Sequence, residues 1–136
     1  KRQSKGSAGY MKGGCIACHR VNGQFIDFGP DLSEIGNKLS KEGMFEAILY
    51  PSTGISHGFH GVTLTKKTGE AFAGYITGET DSEVTIRLPG GVSQSIPAKD
   101  IASRENMELS LMPPGLVAAL SQQELVDLVA YLMSLK

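Results

Sequence analysis

The chain contains 136 residues, of which 40% are hydrophobic, and this length and composition fit one domain with a modest core. Its formal net charge of −1, with no basic run longer than Lys66-Lys67, argues against a general nucleic-acid-binding protein. No apolar stretch approaches the roughly 18 residues that span a bilayer. The polar residues 1–6 lack the apolar core of a signal peptide.

The two cysteines of the chain lie in a single motif, Cys15-Ile16-Ala17-Cys18-His19, directly after a short helix that we predict over residues 5–14. This C-x-x-C-H pattern is typical of covalent haem c attachment. Two thiols three positions apart can each form a thioether with one of the two vinyl groups on the same porphyrin edge. The histidine that follows can then offer an imidazole nitrogen to the iron as the proximal ligand. With both thiols used in this way, no disulfide is expected.

A second helix is predicted after the motif. Residues 33–36 fit one helical turn, and Ser40 is a favourable N-cap for a helix over residues 41–49. The apolar side chains of residues 41–49 recur at helical spacing, and Pro51 ends the helix.

Between residues 59 and 105 the apolar side chains alternate with polar ones, which is typical of half-buried strands. Turn sequences interrupt this alternation at residues 67–69, 78–82 and 89–91. We therefore predict three to five short antiparallel strands that form a meander or a small barrel-like sheet.

A haem held by one histidine needs a second axial ligand or keeps one open face, and Met112 is the best candidate for that ligand. Two prolines follow it directly, and they hold its thioether on a stiff loop. A thioether ligand also raises the reduction potential. Met107 is the nearest competitor, although it lies in a polar stretch without flanking prolines, and either His57 or His60 could replace methionine.

Helical spacing returns at the end of the chain. Ser121 and Glu124 form the sequence pattern of a capping box. The apolar residues that follow at positions i, i+3, i+4 and i+7 are Leu125, Leu128, Val129 and Leu132. We predict a helix that begins after Ser121.

These motifs together resemble a class I cytochrome c. The resemblance is carried by the C-x-x-C-H motif, by Gly29-Pro30-Asp31-Leu32, by Met112-Pro113-Pro114-Gly115 and by the closing helix. Nearly the whole chain is similar to the haem-binding domain found at the C-terminus of many large proteins of planctomycetes and verrucomicrobia. The resemblance implies His19 and Met112 as axial ligands and a carbonyl at Pro30 that accepts a hydrogen bond from the His19 ring.

The same resemblance implies a mainly α cytochrome c fold with a small antiparallel sheet inserted into it. We expect residues 1–136 to form a single domain, with residues 55–105 as the β-rich insert. The insert would lie between the third helix of the family, at residues 41–49, and the Met112 loop. The first and last helices are expected to cross near Tyr10 or Met11 and Tyr131.

The predicted function is that of a monohaem electron carrier with one covalent haem c, rather than an enzyme. Redox proteins such as a periplasmic dehydrogenase or a terminal oxidase system are the expected partners. Because haem c is attached outside the cytoplasm, we expect a periplasmic or otherwise extracytoplasmic protein, processed or cut from a longer polypeptide. We hypothesise that the insert docks a partner or covers the haem pocket.

Three other readings remain open from the residues alone. Cys15 and Cys18 together with His57 and His60 make a Cys2His2 set that could hold structural zinc, although only two residues separate the histidines. A thioredoxin-like redox pair would need a preceding strand, which the glycine-rich segment before Cys15 does not provide. An open distal haem face would suit a peroxidase or a sensor, but nothing near Met112 supplies the acid–base group that peroxide chemistry needs.

Overall fold

The computed structural model of the chain describes residues 2–55 and 58–136. They fall into two compact units, each with its own core. One unit combines the chain up to Gly54 with Met112–Lys136, and we call it the helical unit. The other consists of Ile55–Leu111, and we call it the sheet unit.

The helical unit contains all the α-helices of the described residues. These are α1 (Arg2–Lys12), α2 (Lys41–Leu49) and α3 (Gln122–Met133). Short 3₁₀ turns cover Cys15–Ala17, Ile35–Asn37 and Leu116–Ala119. Within residues 2–55 and 58–136, no helix has both the length and the apolar character needed to cross a membrane.

Two predicted N-caps are confirmed. The Ser40 hydroxyl accepts a hydrogen bond of 3.1 Å from the Gly43 amide at the start of α2. At the start of α3, the Ser121 hydroxyl accepts from the Glu124 amide at 3.1 Å, while the Glu124 carboxylate accepts from the Ser121 amide at 2.8 Å. Each bond satisfies an amide that the first helical turn leaves without a partner.

α1 is longer at its start than predicted and ends at Lys12, two residues earlier than expected. Its glycines are compatible with a helix because they allow α3 to approach closely. A Cβ atom on Gly6 would overlap the Cβ of Tyr131 and the carbonyl oxygen of Asp127. The helix contact thus replaces the stability that glycine costs in an isolated helix.

The core of the helical unit forms where α1, α2 and α3 meet. Its buried members are Tyr10, Val21, Met44, Leu128, Val129, Leu132 and Leu135. Of the two residues expected at the helix crossing, Tyr10 is 1% exposed and packs against Tyr131, while Met11 is 56% exposed. The contact therefore belongs to Tyr10.

The sheet unit is a five-stranded antiparallel sheet in the order β4-β3-β2-β1-β5. Its strands are β1 (Val62–Lys66), β2 (Ala71–Glu79), β3 (Glu83–Arg87), β4 (Ser93–Pro97) and β5 (Ile101–Asn106). The first four strands form a meander, and the 3₁₀ turn Ala98–Asp100 carries the chain back so that β5 pairs with β1. An exposed ion pair of 2.9 Å joins Arg104 of β5 to Glu79 at the end of β2.

One face of this sheet carries the core of the sheet unit. The buried side chains are Val62, Leu64, Val84, Ile86 and Ile96. Their alternation with more exposed residues along β1 and β3 is the period of two that the sequence predicts. At Gly74 the backbone of β2 comes so close to Arg87 of β3 that a Cβ atom would overlap the Arg87 carbonyl oxygen.

The expectation of a mainly α fold is wrong. The helices of the described residues contain 11, 9 and 12 residues, and the strands contain 5, 9, 5, 5 and 6. Residues 33–37 supply only the short turn Ile35–Asn37, so the helix at Lys41–Leu49 is the second α-helix and not the third. The alternating segment is as rich in regular structure as the helical segments, because each of its strands finds a neighbour and buries a common face.

Candidate functional site

The Cys15–His19 motif follows α1 through two glycines and folds into one tight turn. Gly14 has φ = 78°, a left-handed conformation that ends the helix and that glycine adopts without strain. Cys15–Ala17 then form a 3₁₀ turn, and the amides of Cys18 and His19 both donate to the Cys15 carbonyl, at 3.2 and 3.0 Å. The backbone of the motif is therefore fixed by local hydrogen bonds.

Both motif cysteines are free and partly buried. Burial raises the pKa of the Cys15 thiol, and it raises the pKa of the Cys18 thiol in the same way. Both groups therefore stay protonated thiols at neutral pH. Two uncharged thiols on one turn are the groups that a pair of thioether bonds requires.

The His19 ring is held in one tautomer. Its Nδ1 lies 2.7 Å from the carbonyl oxygen of Pro30, and because a carbonyl can only accept, Nδ1 carries the proton and donates. Among the described residues, Nε2 has no hydrogen-bond partner. Burial lowers the pKa of His19, against the opposing effect of the Pro30 hydrogen bond, so the ring is neutral at neutral pH. A neutral imidazole with a free Nε2 is the form that binds metals.

The loop that carries Pro30 is tied to the motif by its backbone. The amides of Phe28 and Gly29 both donate to the Cys18 carbonyl, at 3.2 and 2.6 Å. Gly29 passes so close to the His19 ring that a Cβ atom there would lie 2.9 Å from Cε1. A side chain at this position would push the ring away, which explains glycine before Pro30 in physical terms.

A second hydrogen bond reaches His19 from α1. The Tyr10 hydroxyl donates to the His19 backbone carbonyl at 2.8 Å. Desolvation of the buried Tyr10 hydroxyl raises its pKa, so the group remains a donor. The sequence does not predict this bond, since donor and acceptor lie on different elements. The only signal is a tyrosine, rather than a phenylalanine, at a buried position.

Phe25 and Ile26 lie beside the motif and are the second feature that sequence patterns did not identify. The Ile26 amide donates to the Ile16 carbonyl at 3.2 Å. Phe25 has φ = 75°, which is uncommon for a bulky residue, and the residue is 41% exposed. Contact with Tyr10, at 5.8 Å between ring centroids, helps to hold it there.

Met112 and Met107, the two methionines considered as distal ligands, belong to different units. Met112 is partly buried and begins the C-terminal part of the helical unit, the unit that also contains Cys15, Cys18 and His19. Met107 belongs to the sheet unit, where its sulfur lies close to Gly61. This division favours Met112 as the candidate, and its role as a ligand stays a prediction.

Nothing in the structure supports the zinc alternative. Within residues 2–55 and 58–136, no three His, Cys, Asp or Glu side chains form a group that could hold a metal ion. His60 is an exposed residue of the sheet unit. His57, the fourth residue of the predicted set, lies outside the described residues.

The residues of the motif fit a covalently bound haem. Cys15 and Cys18 offer two protonated sulfurs on one turn, and His19 offers one nitrogen whose orientation Pro30 fixes. Sulfur and imidazole are the groups by which haem c is attached and ligated in proteins. The hydrogen bond on the far ring nitrogen is the usual way in which a protein orients a metal-binding histidine.

Comparison with known proteins adds one finding. The family model for cytochrome c matches residues 3–84, more than half of the chain. The matched region contains Cys15, Cys18, His19 and Pro30, whereas Met112 lies beyond it. A search of curated proteins found no match to the chain.

Proposed function

Since the chain belongs to the cytochrome c family, whose members bind haem and transfer electrons, we propose that it is a monohaem electron carrier with a defined ligand set. Cys15 and Cys18 hold the haem covalently, His19 is the proximal ligand and Met112 is the distal ligand. Haem supplies the one-electron chemistry of its iron when bound. The chain itself supplies attachment, orientation and a rigid surrounding.

The geometry of His19 is the observation that carries this proposal. The 2.7 Å hydrogen bond to Pro30 fixes the Nδ1–H tautomer and leaves Nε2 for the iron. The two thiols come from the same turn as His19, so the side chains of Cys15, Cys18 and His19 can hold a single prosthetic group. Family membership makes that group haem rather than a metal ion alone.

Each residue then has a separate task. On binding haem, each thiol would add across one vinyl group, with sulfur going to one carbon and hydrogen to the other, so attachment would need no external oxidant. The Met112 thioether favours the reduced state of iron and raises the potential. Pro113 and Pro114 restrict the backbone after Met112, which keeps the ligand in the same place in both oxidation states. Electron transfer is fast when the ligand geometry differs little between the two oxidation states.

We also propose the location and the kind of partner. Proteins with covalent haem c are typically extracytoplasmic, and the periplasm is the proposed compartment. The exposed Ala17 lies between the two attachment residues, so a partner that docks there would approach the attached edge. Redox encounters of this kind use small, transient interfaces, which suits a periplasmic dehydrogenase or a terminal oxidase system as partner.

The mass and the absorption spectra of the protein and of two methionine variants test the proposal. The protein is exported with the haem c maturation machinery, and its mass and its absorption spectra are measured in both oxidation states. The mass should equal that of the peptide plus one haem. The ferric protein should be low-spin and show the weak far-red band of sulfur–iron ligation, which Met112→Ala should abolish while Met107→Ala retains it.

Three outcomes would contradict different parts of the proposal. A colourless polypeptide of bare peptide mass would remove the haem altogether. Loss of the far-red band in Met107→Ala instead of Met112→Ala would move the distal ligand. A high-spin ferric spectrum that responds to peroxide would show an open distal face and favour catalysis over electron transfer.

A further inference from the structure

The backbone carbonyl of His19 has a partner that haem attachment does not require. The Tyr10 hydroxyl donates to it, with 2.8 Å between the two oxygens. Tyr10 lies in α1 and is only 1% exposed, so water cannot take over as donor unless the core opens. The bond therefore restrains the peptide group between His19 and Arg20.

The ring of Tyr10 is itself fixed from two sides. Tyr131 of α3 meets it edge to face, with 5.9 Å between the ring centroids, and Phe25 lies against it at 5.8 Å. Such aromatic contacts have preferred geometries and resist rotation of the ring. At the same crossing, Gly6 allows α1 and α3 to touch backbone to side chain. The hydroxyl is thus held where α1 and α3 meet.

Besides the turn of its own motif, where its amide donates to the Cys15 carbonyl at 3.0 Å, His19 is restrained by two other parts of the helical unit. The Pro30 loop holds the ring through Nδ1 at 2.7 Å, and α1 holds the main chain through Tyr10. Without the Tyr10 bond, the peptide group after His19 could turn and the ring could tilt with it. With both restraints, the direction of Nε2 is determined.

We propose that Tyr10 is a positioning residue for His19, one that fixes the main chain of the proximal ligand to the α1–α3 contact. The proposal rests on the proposed function, because it treats His19 as the iron ligand. Tyr10 acts through the His19 carbonyl and not on the reacting centre. Its hydroxyl, and not only its ring, is what the role requires.

The test compares Tyr10→Phe with Tyr131→Phe in the haem-loaded protein. Each variant removes one hydroxyl from the same pair of rings. Of these two hydroxyls, that of Tyr10 makes a hydrogen bond within the described part of the chain, and that of Tyr131 makes none. In Tyr10→Phe, the carbonyl ¹³C resonance of His19 should move upfield, because a carbonyl carbon becomes more shielded when its oxygen loses a hydrogen bond. The hyperfine-shifted ring protons of His19 in the ferric protein should also move. Tyr131→Phe should leave both signals unchanged.

A purely structural role would give a different result. Both variants would then lower the guanidinium midpoint, and the His19 signals would remain as in the unmodified protein or change equally in both; either result overturns the proposal. If Tyr10→Phe does not fold, the unmodified protein still decides the matter. Its Tyr10 hydroxyl proton should exchange with water slowly enough to be observed, because the donor is buried and hydrogen-bonded. A Tyr10 hydroxyl proton in fast exchange with water overturns the proposal. The absorption spectrum of the unmodified protein reports on the proposed function separately.

Discussion

The helical unit and the sheet unit reach their cores by opposite routes. The sheet unit is one continuous segment, Ile55–Leu111, in which four strands pair with their neighbours in sequence and buried residues alternate. The helical unit joins two segments from opposite ends of the chain, and its main contact is between α1 and α3. Between α1 and α2 its backbone forms only short turns and one isolated bridge, Val21↔Gln24.

The two units therefore depend on a bound group for their stability to different degrees. In the sheet unit, backbone hydrogen bonds and a common apolar face support each other without help. In the helical unit, the long irregular segment holds Cys15, Cys18 and His19, and all three are only partly buried. Ordering such a segment costs about 1–2 kcal/mol per residue in backbone entropy. Val21 and Phe28 are its only fully buried large apolar side chains, at 4% and 3% exposure. A haem packed against this segment would supply the missing burial.

The largest expected effect follows from producing the polypeptide without haem. The helical unit should lose its fixed structure because the segment between α1 and α2 is then poorly buried. The sheet unit should remain folded because its core is made by its own strands. Far-ultraviolet circular dichroism should show weak helical signal, while the amide spectrum keeps dispersed signals for residues 62–106. If both units stay folded without haem, or if both unfold, the predicted difference between them is wrong.

A second test of the difference between the two units removes one core side chain from each. Leu128→Ala in α3 and Ile86→Ala in β3 each empty a site that is 1% and 0% exposed, respectively. Each should cost about 3 kcal/mol in the free energy of unfolding. Guanidinium unfolding is followed by haem absorption and by amide signals of residues 62–106. Leu128→Ala should shift the haem transition, and Ile86→Ala should shift the sheet transition.

A reversed or uniform pattern in that pair would contradict the division into two cores. The unmodified protein under the same conditions provides the reference midpoints. Because both substitutions remove an aliphatic side chain of equal size, the two transitions can be compared directly.

A smaller effect is expected where glycine permits close approach. Gly6→Ala in α1 and Gly74→Ala in β2 each place a Cβ atom against backbone atoms that have little room to move. Overpacking of this kind should cost about 2 kcal/mol. Matched controls are Gly54→Ala, whose Cβ meets no atom within 4 Å, and Gly78→Ala, whose nearest neighbour lies at 4.0 Å. Thermal unfolding midpoints that fall equally in the control variants would show that glycine flexibility, and not space, explains the effect.

Much of the local structure could be predicted from the sequence. The caps at Ser40 and Ser121 and the alternation along β1 and β3 depend on neighbours in the chain, and the structure confirms them. The sequence predicts three to five strands, and the structure has five because the turn Ala98–Asp100 divides residues 93–106 into two strands. The prediction of a mainly α fold is wrong, because the strands contribute about as many residues as the α-helices.

For the candidate site, the motif predicts Cys15, Cys18 and His19 as the haem-binding residues, and family membership supports haem binding. The sequence could not predict that Tyr10 donates to the His19 carbonyl or that Phe25 adopts a left-handed backbone beside it. Both depend on how α1, α3 and the loop before Pro30 pack. The division of the chain into one domain with an insert, and the ligand role of Met112, stay predictions.

By itself, the sequence determined what short-range chemistry decides: two thiols and an imidazole within five positions, helix starts at capping residues, and strands with a period of two. Only the tertiary structure decided which of Tyr10 and Met11 is buried, how the glycines of α1 serve the contact with α3, and how Pro30 and Tyr10 hold His19. The physical reason is that caps and alternation depend on adjacent residues. A hydrogen bond or a close approach between distant segments depends on the packing of the whole unit.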